Sequence, residues 1–223
     1  MSPFVKGWTN SAVIDAFLYT LIKDNPTCAY INNFMTQYFS ASDLGKDLSD
    51  TLKLRDSFLG NLVPHQGATK IFIPFNPTGA HWTLIYCDVQ KRNMYFLNPL
   101  LPDLQHPLTQ TMEPYRSCLR RWTEIFGIVY NAGPWTVLGK DHVQQTDNIN
   151  CGQYICYFAE QLINDEESLL KTSFDPFFYR DKMLRHIILE GLRQPVIYHD
   201  EVWDSADGEC PYTVNEDGVI VLD

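Results

Sequence analysis

A chain of 223 residues, 45% hydrophobic and 13% aromatic, can bury a core as one domain or as one domain and a tail. No run approaches the roughly 18 consecutive apolar residues of a membrane span, and MSPFVKGWTN has no charged region ahead of an apolar one, so neither a membrane partner nor a signal peptide is expected. The formal net charge of −10 is concentrated in residues 195–223, which hold eight acids and no Lys or Arg; 19 of the 27 acids then face all 17 bases elsewhere, and this near-neutral body gives no footprint for nucleic acid.

WTNSAVIDAFLYTLIK, residues 8–23, predicts a helix with Val13, Ile14, Phe17, Leu18 and Leu21 as its apolar stripe and Thr9 or Asn10 as its cap. Ile31, Phe34, Met35 and Tyr38 repeat helically and predict a second helix over 30–39. Residues 40–67 are polar and mixed, and read as loops with a short helix. Strands follow at 69–75 and 81–88, and the turn 90–93 returns the chain as a strand over 94–98. Thr111 to Phe126 predicts a helix with Met112, Tyr115, Leu119, Trp122 and Phe126 on one face. A strand at 134–138 precedes a helix reaching about Asn164. Asp175-Pro176 opens a last helix, to about Gln194, with Asp at the N-cap and Pro at N1. Helices, then a small mixed sheet, then helices describe an α+β fold. The expected division is a domain over 1–194 and an acidic, solvated tail over 195–223.

The six cysteines, Cys28, Cys87, Cys118, Cys151, Cys156 and Cys210, are scattered with no CxxC pair. That pattern fits neither a disulfide framework nor a zinc site. Reduced thiols in an intracellular compartment, nucleus or cytoplasm, with no metal or cofactor, are the expectation.

HVQQTDNINCGQYICYF, residues 142–158, places Cys151 at the first turn of a helix whose Tyr154, Ile155, Phe158 and Leu162 face inward. Backbone N–H groups at a helix start favour an anion, so a thiolate there should have a depressed pKa and could serve as a nucleophile. The same N–H groups can hold an oxyanion. A free cysteine is more often a buried structural residue, so the assignment needs a base. His81, at the start of a strand, is the best placed; His65 and His106 lie beside prolines in loops, His186 is mid-helix, His199 is in the tail, and His142 lies on the segment leading to Cys151. Asn98 ends the strand that hairpins with the His81 strand and is the candidate for orienting the imidazole; it also reads as a turn Asn before Pro99.

GAHWTLIYCDVQKRNMYFLNPL, QQTDNINCG and WTNSAVIDAFLYTLI, in their order along the chain, resemble the ubiquitin-like-protein-specific (SUMO/sentrin) cysteine proteases, relatives of adenovirus proteinase, over about residues 8 to 193. The resemblance implies a papain-like fold. It implies Cys151 as nucleophile, His81 as general base, and Asn98 where the family usually has Asp. It implies Gln145 as an oxyanion donor, and Trp8 and Trp82 as walls of a slot for a Gly-Gly tail. Ser11 stands where the family's opening motif has Asp, and family segments upstream of Trp8 have no counterpart.

The function this implies is cleavage after the C-terminal Gly-Gly of SUMO or a related modifier, with that modifier and its conjugates as partners. Deubiquitinating, deneddylating or acetyl-transferring activity remains an alternative. So do a modifier-binding module without catalysis, which the neutral Asn98 would suit, and a viral or transposon-encoded processing protease, which the short N-terminus would suit. Oligomeric state is not legible.

Overall fold

In a computed structural model, the protein is described over residues 8–32, 67–101, 105–129, 133–193, 212–214 and 220–222. A five-stranded mixed sheet organises the unit Met1–Gly191. Its strands, in spatial as in chain order, are β1 (Cys28–Tyr30), β2 (Lys70–Phe75), β3 (Thr83–Asp88), β4 (Asn93–Leu97) and β5 (Thr136–Gly139). β1 runs parallel to β2 and β5 parallel to β4, while β2, β3 and β4 form an antiparallel meander. The helices are α1 (Ser11–Ile22), α2 (Pro107–Gln110), α3 (Tyr115–Val129), α4 (Cys151–Ile163) and α5 (Pro176–Arg193), with a 3-10 turn at Glu167–Lys171.

Side chains alternate across a pleated sheet, so each strand feeds two cores. Phe72, Leu84, Tyr86 and Leu97 pack with Ile14, Phe17 and Leu18 of α1 and with Tyr154, Ile155 and Phe158 of α4. Ile71, Ile73, Phe75, Ile85 and Phe96 face the other way and pack with Leu119, Trp122 and Phe126 of α3. Both faces are covered, which explains the nearly continuous apolar runs of β2 and β3. Each large side chain so buried contributes about 1.5–3 kcal/mol. All 13 residues of α4 are buried. Among its polar members, Glu160 accepts from Tyr179 Oη at 3.0 Å and from Lys182 Nζ at 2.7 Å, both on α5.

The helix ends follow the sequence. Asn10 caps α1, its Oδ1 accepting from Val13 N at 3.0 Å. Asp175 caps α5 through Phe177 N at 2.8 Å and Phe178 N at 3.3 Å.

Several expectations are corrected. Residue 30 belongs to β1, a strand the sequence reading missed, and residues 31 and 32 are not helical. The rest of the helix expected over 30–39, and the loops expected over 40–66, lie outside the described residues. The helix expected from Thr111 begins at Tyr115, leaving Met112 79% exposed ahead of it. Pro114 disfavours a helical residue before it, and the Glu113 carboxylate instead accepts from Ser117 N at 3.1 Å and Arg116 Nε at 2.9 Å. The 3-10 turn was not anticipated. The second unit, Leu192–Asp223, contains an antiparallel pair, β6 (Tyr212–Val214) with β7 (Ile220–Leu222), within a segment read as a plain tail.

Candidate active site

His81 enters at the mouth of β3 from a tight turn. Gly79, at φ +72°, supplies a backbone conformation that residues with a Cβ rarely adopt, and its N–H donates to Asn76 O at 3.4 Å. The buried Asn76 then takes His81 N on its Oδ1 at 3.2 Å. Tyr115 of α3 donates from its hydroxyl to His81 O at 3.3 Å. The backbone carrying the imidazole is therefore held from two sides.

His81 Nε2 lies 2.8 Å from Asn98 Oδ1. Leu84 pairs with Leu97 in the β3–β4 register, which brings the start of one strand beside the end of the other. Asn98 Oδ1 also accepts from Leu100 N at 3.1 Å, so a short turn fixes the amide. With Nε2 directed at Asn98, Nδ1 is the ring nitrogen left to face a nucleophile.

Cys151 is 2% exposed at the first residue of α4, and its Sγ accepts from Trp82 N at 3.5 Å. The sulfur thus touches the residue next to His81. Asn150, the residue before the helix, makes no side-chain cap; its side chain turns to Asp147 and Arg180. The N–H groups of Cys151 and Gly152 are left to serve the thiol. Burial pushes the thiol above its usual range, further than the N–H groups of Trp82, Gly152 and Cys151 pull it down, and the Asp147 carboxylate adds to the rise. This reverses the expectation of a depressed thiol: the helix start does act, but desolvation outweighs it. Burial likewise pushes His81 below its usual range, with the Asn98 bond pulling partly back. Both shifts favour the neutral forms, thiol and imidazole.

Gln145 is buried, and its backbone N donates to Pro99 O at 2.8 Å, which ties the loop before Cys151 to the Asn98 turn. Its Nε2 donates to Asp147 Oδ1 at 3.1 Å, while Oε1 is buried without a hydrogen-bond partner. Gln144 is exposed and reaches Leu100 O at 3.4 Å. Trp82 is 4% exposed, and its indole Nε1 donates to Thr9 O at 3.1 Å; Trp8, one residue earlier, is 49% exposed. Cys151, His81, Asn98 and Trp82 are in direct contact or adjacent, Trp8 joins them through Thr9, and Gln145 joins them through the loop.

The sequence reading passed over Asp147. Its Oδ1 accepts from Ile149 N at 2.8 Å, Asn150 N at 2.9 Å and Gln145 Nε2, and its Oδ2 accepts from Asn150 Nδ2 at 2.9 Å. Burial pushes this carboxyl up, but those donors outweigh it and hold it below the usual range. An Asp four residues before a helix, in a run of Asn and Thr, is a turn signal that would have marked it. Thr9 was also passed over except as a possible cap. Nothing in the sequence pairs it with Gly152.

Among the described residues, no group of three or more His, Cys, Asp or Glu is arranged to hold a metal ion. In the same span, no helix is long and apolar enough to cross a membrane.

The family described as the Ulp1 protease family, C-terminal catalytic domain, matches residues 8–191. Comparison of the sequence with curated proteins gives no match. Among solved structures, the chain is similar to the SUMO protease Ulp1 with its catalytic cysteine oxidised to a sulfonic acid: TM-score 0.65, 19% identity, 83% of this chain and 79% of that one. It is similar to the Ulp1 protease domain in complex with Smt3, the yeast ortholog of SUMO: TM-score 0.61, 18% identity, 83% and 78% covered. It is also similar to the Xanthomonas campestris effector XopD bound to ubiquitin: TM-score 0.56, 15% identity, 83% and 96% covered. At these identities the structural likeness speaks for the fold.

Proposed function

The chain belongs to the Ulp1 protease family, a family of cysteine peptidases, and on that premise we propose that it cleaves the bond after the C-terminal Gly-Gly of a SUMO-type modifier, in a precursor or in an isopeptide conjugate. The observation that carries the reading is the 2.8 Å contact of His81 Nε2 with Asn98 Oδ1 beside a thiol held by the backbone of Trp82.

In the proposed reaction, the Cys151 sulfur attacks the glycine carbonyl carbon as His81 Nδ1 takes the thiol proton. Burial favours the neutral forms of both groups, so in this reading attack and proton transfer are coupled and no standing ion pair is required. The oxyanion is held by the Cys151 N–H and by the Gln145 amide, one of whose two N–H groups is already aligned by Asp147. The imidazolium gives its proton to the leaving amine, and a thioester remains. Neutral His81 then takes a proton from water, whose oxygen attacks the thioester; the C–S bond breaks, and the imidazolium returns that proton to the departing sulfur, leaving Cys151 as thiol and the modifier as a free carboxylic acid.

A neutral Asn98 orients the ring by accepting a hydrogen bond, as in Cys-His-Asn enzymes. Trp8 and Trp82 fit a role as walls for a glycine tail, which offers no side chain to grip. We take residues 1–194 as the catalytic domain and 195–223 as an acidic extension. We place the protein in the nucleus or cytoplasm, on the strength of free Cys28, Cys87, Cys118, Cys151 and Cys156.

Ubiquitin is the second reading for the modifier, motivated by the likeness to XopD, whose structure holds ubiquitin. The test is covalent trapping. SUMO, ubiquitin and NEDD8 carrying a C-terminal vinyl sulfone or propargyl group are mixed with the protein and adducts are read by intact mass. An adduct on Cys151 with SUMO alone supports the reading. An adduct with ubiquitin alone moves the substrate to the second reading. No adduct from a folded protein removes the modifier-peptidase function.

A further inference from the structure

His142 is 7% exposed in the loop between β5 and α4, and its ring packs edge-on against Phe158 with centroids 4.8 Å apart. Both ring nitrogens face backbone carbonyls. Nε2 is 2.9 Å from Asn98 O, and Nδ1 is 2.5 Å from Lys140 O. A neutral imidazole carries one N–H, so only the imidazolium donates to both; the neutral ring with its proton on Nε2 still holds Asn98. Its charged neighbours in the loop turn elsewhere: Lys140 Nζ to Glu167 at 2.6 Å, and Asp141 to Lys171 at 2.7 Å. From the same loop, Gln145 N reaches Pro99 O at 2.8 Å and Gln144 Nε2 reaches Leu100 O at 3.4 Å, while the His142 ring meets the carbonyl of Asn98 itself.

The bond does not rescue an orphaned acceptor. Asn98 O already accepts from Leu101 N at 2.8 Å within its own turn. The second donor therefore adds position more than satisfaction. It pins the peptide of the residue whose side-chain oxygen is shared between His81 Nε2 and Leu100 N. A small rotation of that peptide would move the oxygen off both, and displacements near 1 Å at a reacting centre cost up to about 10²-fold in rate.

We propose that His142 is a positioning residue for the reaction, fixing the Asn98 peptide so that its amide meets His81. The proposal rests on the reading of Cys151, His81 and Asn98 as the reacting group, and its test does not need turnover. The His81 ring is titrated by NMR in the wild type, in His142→Phe, which keeps an aromatic ring against Phe158 without a donor, and in His142→Gln, which keeps a donor. The Asn98 bond raises the His81 pKa. In His142→Phe the midpoint therefore falls, by about half a unit or more. His142→Gln recovers at least part of the fall. In an Asn98→Ala background, where there is no amide left to position, His142→Phe adds nothing further. If His142→Phe does not fold, His142→Asn, too short to reach, takes its place.

An unchanged His81 midpoint overturns the proposal, and so does a shift that adds in full to that of Asn98→Ala. A loss of Cys151 trapping in the wild type would instead remove the peptidase reading, which separates the two failures. With a cleavable modifier substrate, His142→Phe lowers kcat about tenfold and leaves KM within about twofold, as expected for a group that binds no substrate.

Discussion

Thr9 packs directly on Gly152: a Cβ built on Gly152 would stand 2.8 Å from Thr9 Cβ and 3.4 Å from Ile14 Cδ1. The segment ahead of α1 is thereby laid against the first turn of α4. The same Thr9 takes the Trp82 indole on its carbonyl, so Trp8, Trp82 and Cys151 are positioned by one close approach. The Thr9 atom met is a branched β-carbon tied to backbone, and it cannot swing away as a flexible side-chain end would. Gly152→Ala should destabilise the fold by about 1–3 kcal/mol through overpacking and should displace Trp8. Thermal unfolding and KM for a Gly-Gly substrate check this: both should worsen, and an unchanged melting temperature would show that the contact yields freely.

Truncating the nucleophile separates chemistry from packing. Cys151 is buried in the same core cluster as Ile14 and Ile155, and the change to Ala removes a single heavy atom from it, so Cys151→Ala should keep the fold. Cleavage should vanish while modifier binding persists. Binding lost from a folded variant would place the modifier site elsewhere.

Asn98→Asp is the informative change at the third position. Both contacts described for the Asn98 side chain use its oxygen, so a carboxylate can keep them. The added charge stabilises the imidazolium, raising the His81 pKa and favouring the transition state in which that ring is protonated. Activity at neutral pH should be equal or higher, and the acid limb of kcat/KM should move to higher pH. A large loss of kcat would mean that the neutral amide has a task beyond orienting the ring.

The meander, the two caps and the pairing of His81 with Asn98 were legible because each is written locally. β-branched and aromatic runs, Asn and Asp ahead of helices, and two strands joined by a short turn carry their own geometry. β1 was not legible. Cys28–Tyr30 is three residues long and exists through parallel pairing with β2, forty residues on, which no local period records. Met112 fits the helical period of α3, but Pro114 breaks the helix before that period is used. At the site, residue types pointed to Cys151, His81 and Asn98. The state of the thiol depends on burial and on Asp147, quantities that only the folded chain possesses.

Asp147 should show two effects of opposite benefit when made Asn. Its oxygens take four donations, one of them from the Asn150 amide, and an amide cannot accept at both ends. Asp147→Asn should cost about 1–2 kcal/mol of stability. The carboxyl's folded pKa is depressed, so its contribution is present above its unfolded pKa and is lost as pH falls through the folded value; the difference from wild type should shrink in acid. Removing the charge also removes an influence that raises the Cys151 thiol. Denaturant unfolding at two pH values, with alkylation of Cys151 against pH, should show lower stability and a more acidic thiol in one variant. A thiol that titrates unchanged would rule out the charge as a determinant.

The resting state of Cys151 and His81 sets the pH profile. His81 works as a base only when neutral, and burial holds its pKa below the ordinary 6.5. The thiol proton is needed later on the leaving amine, and burial holds its pKa above the ordinary 9.0. The bell of kcat/KM should therefore have its acid limb below 6.5, set by His81, and its alkaline limb above 9.0, set by Cys151. The same shift acts on stability. A His with a depressed folded pKa supports the fold fully above its unfolded pKa, and that support is lost as pH falls from there through the folded value. Alkylation with iodoacetamide distinguishes this from an ion pair. A neutral pair gives a rate that climbs only at alkaline pH, whereas a standing thiolate–imidazolium pair is already reactive near pH 5–6. A plateau of fast alkylation in that acidic range would show that the helix start outweighs burial after all.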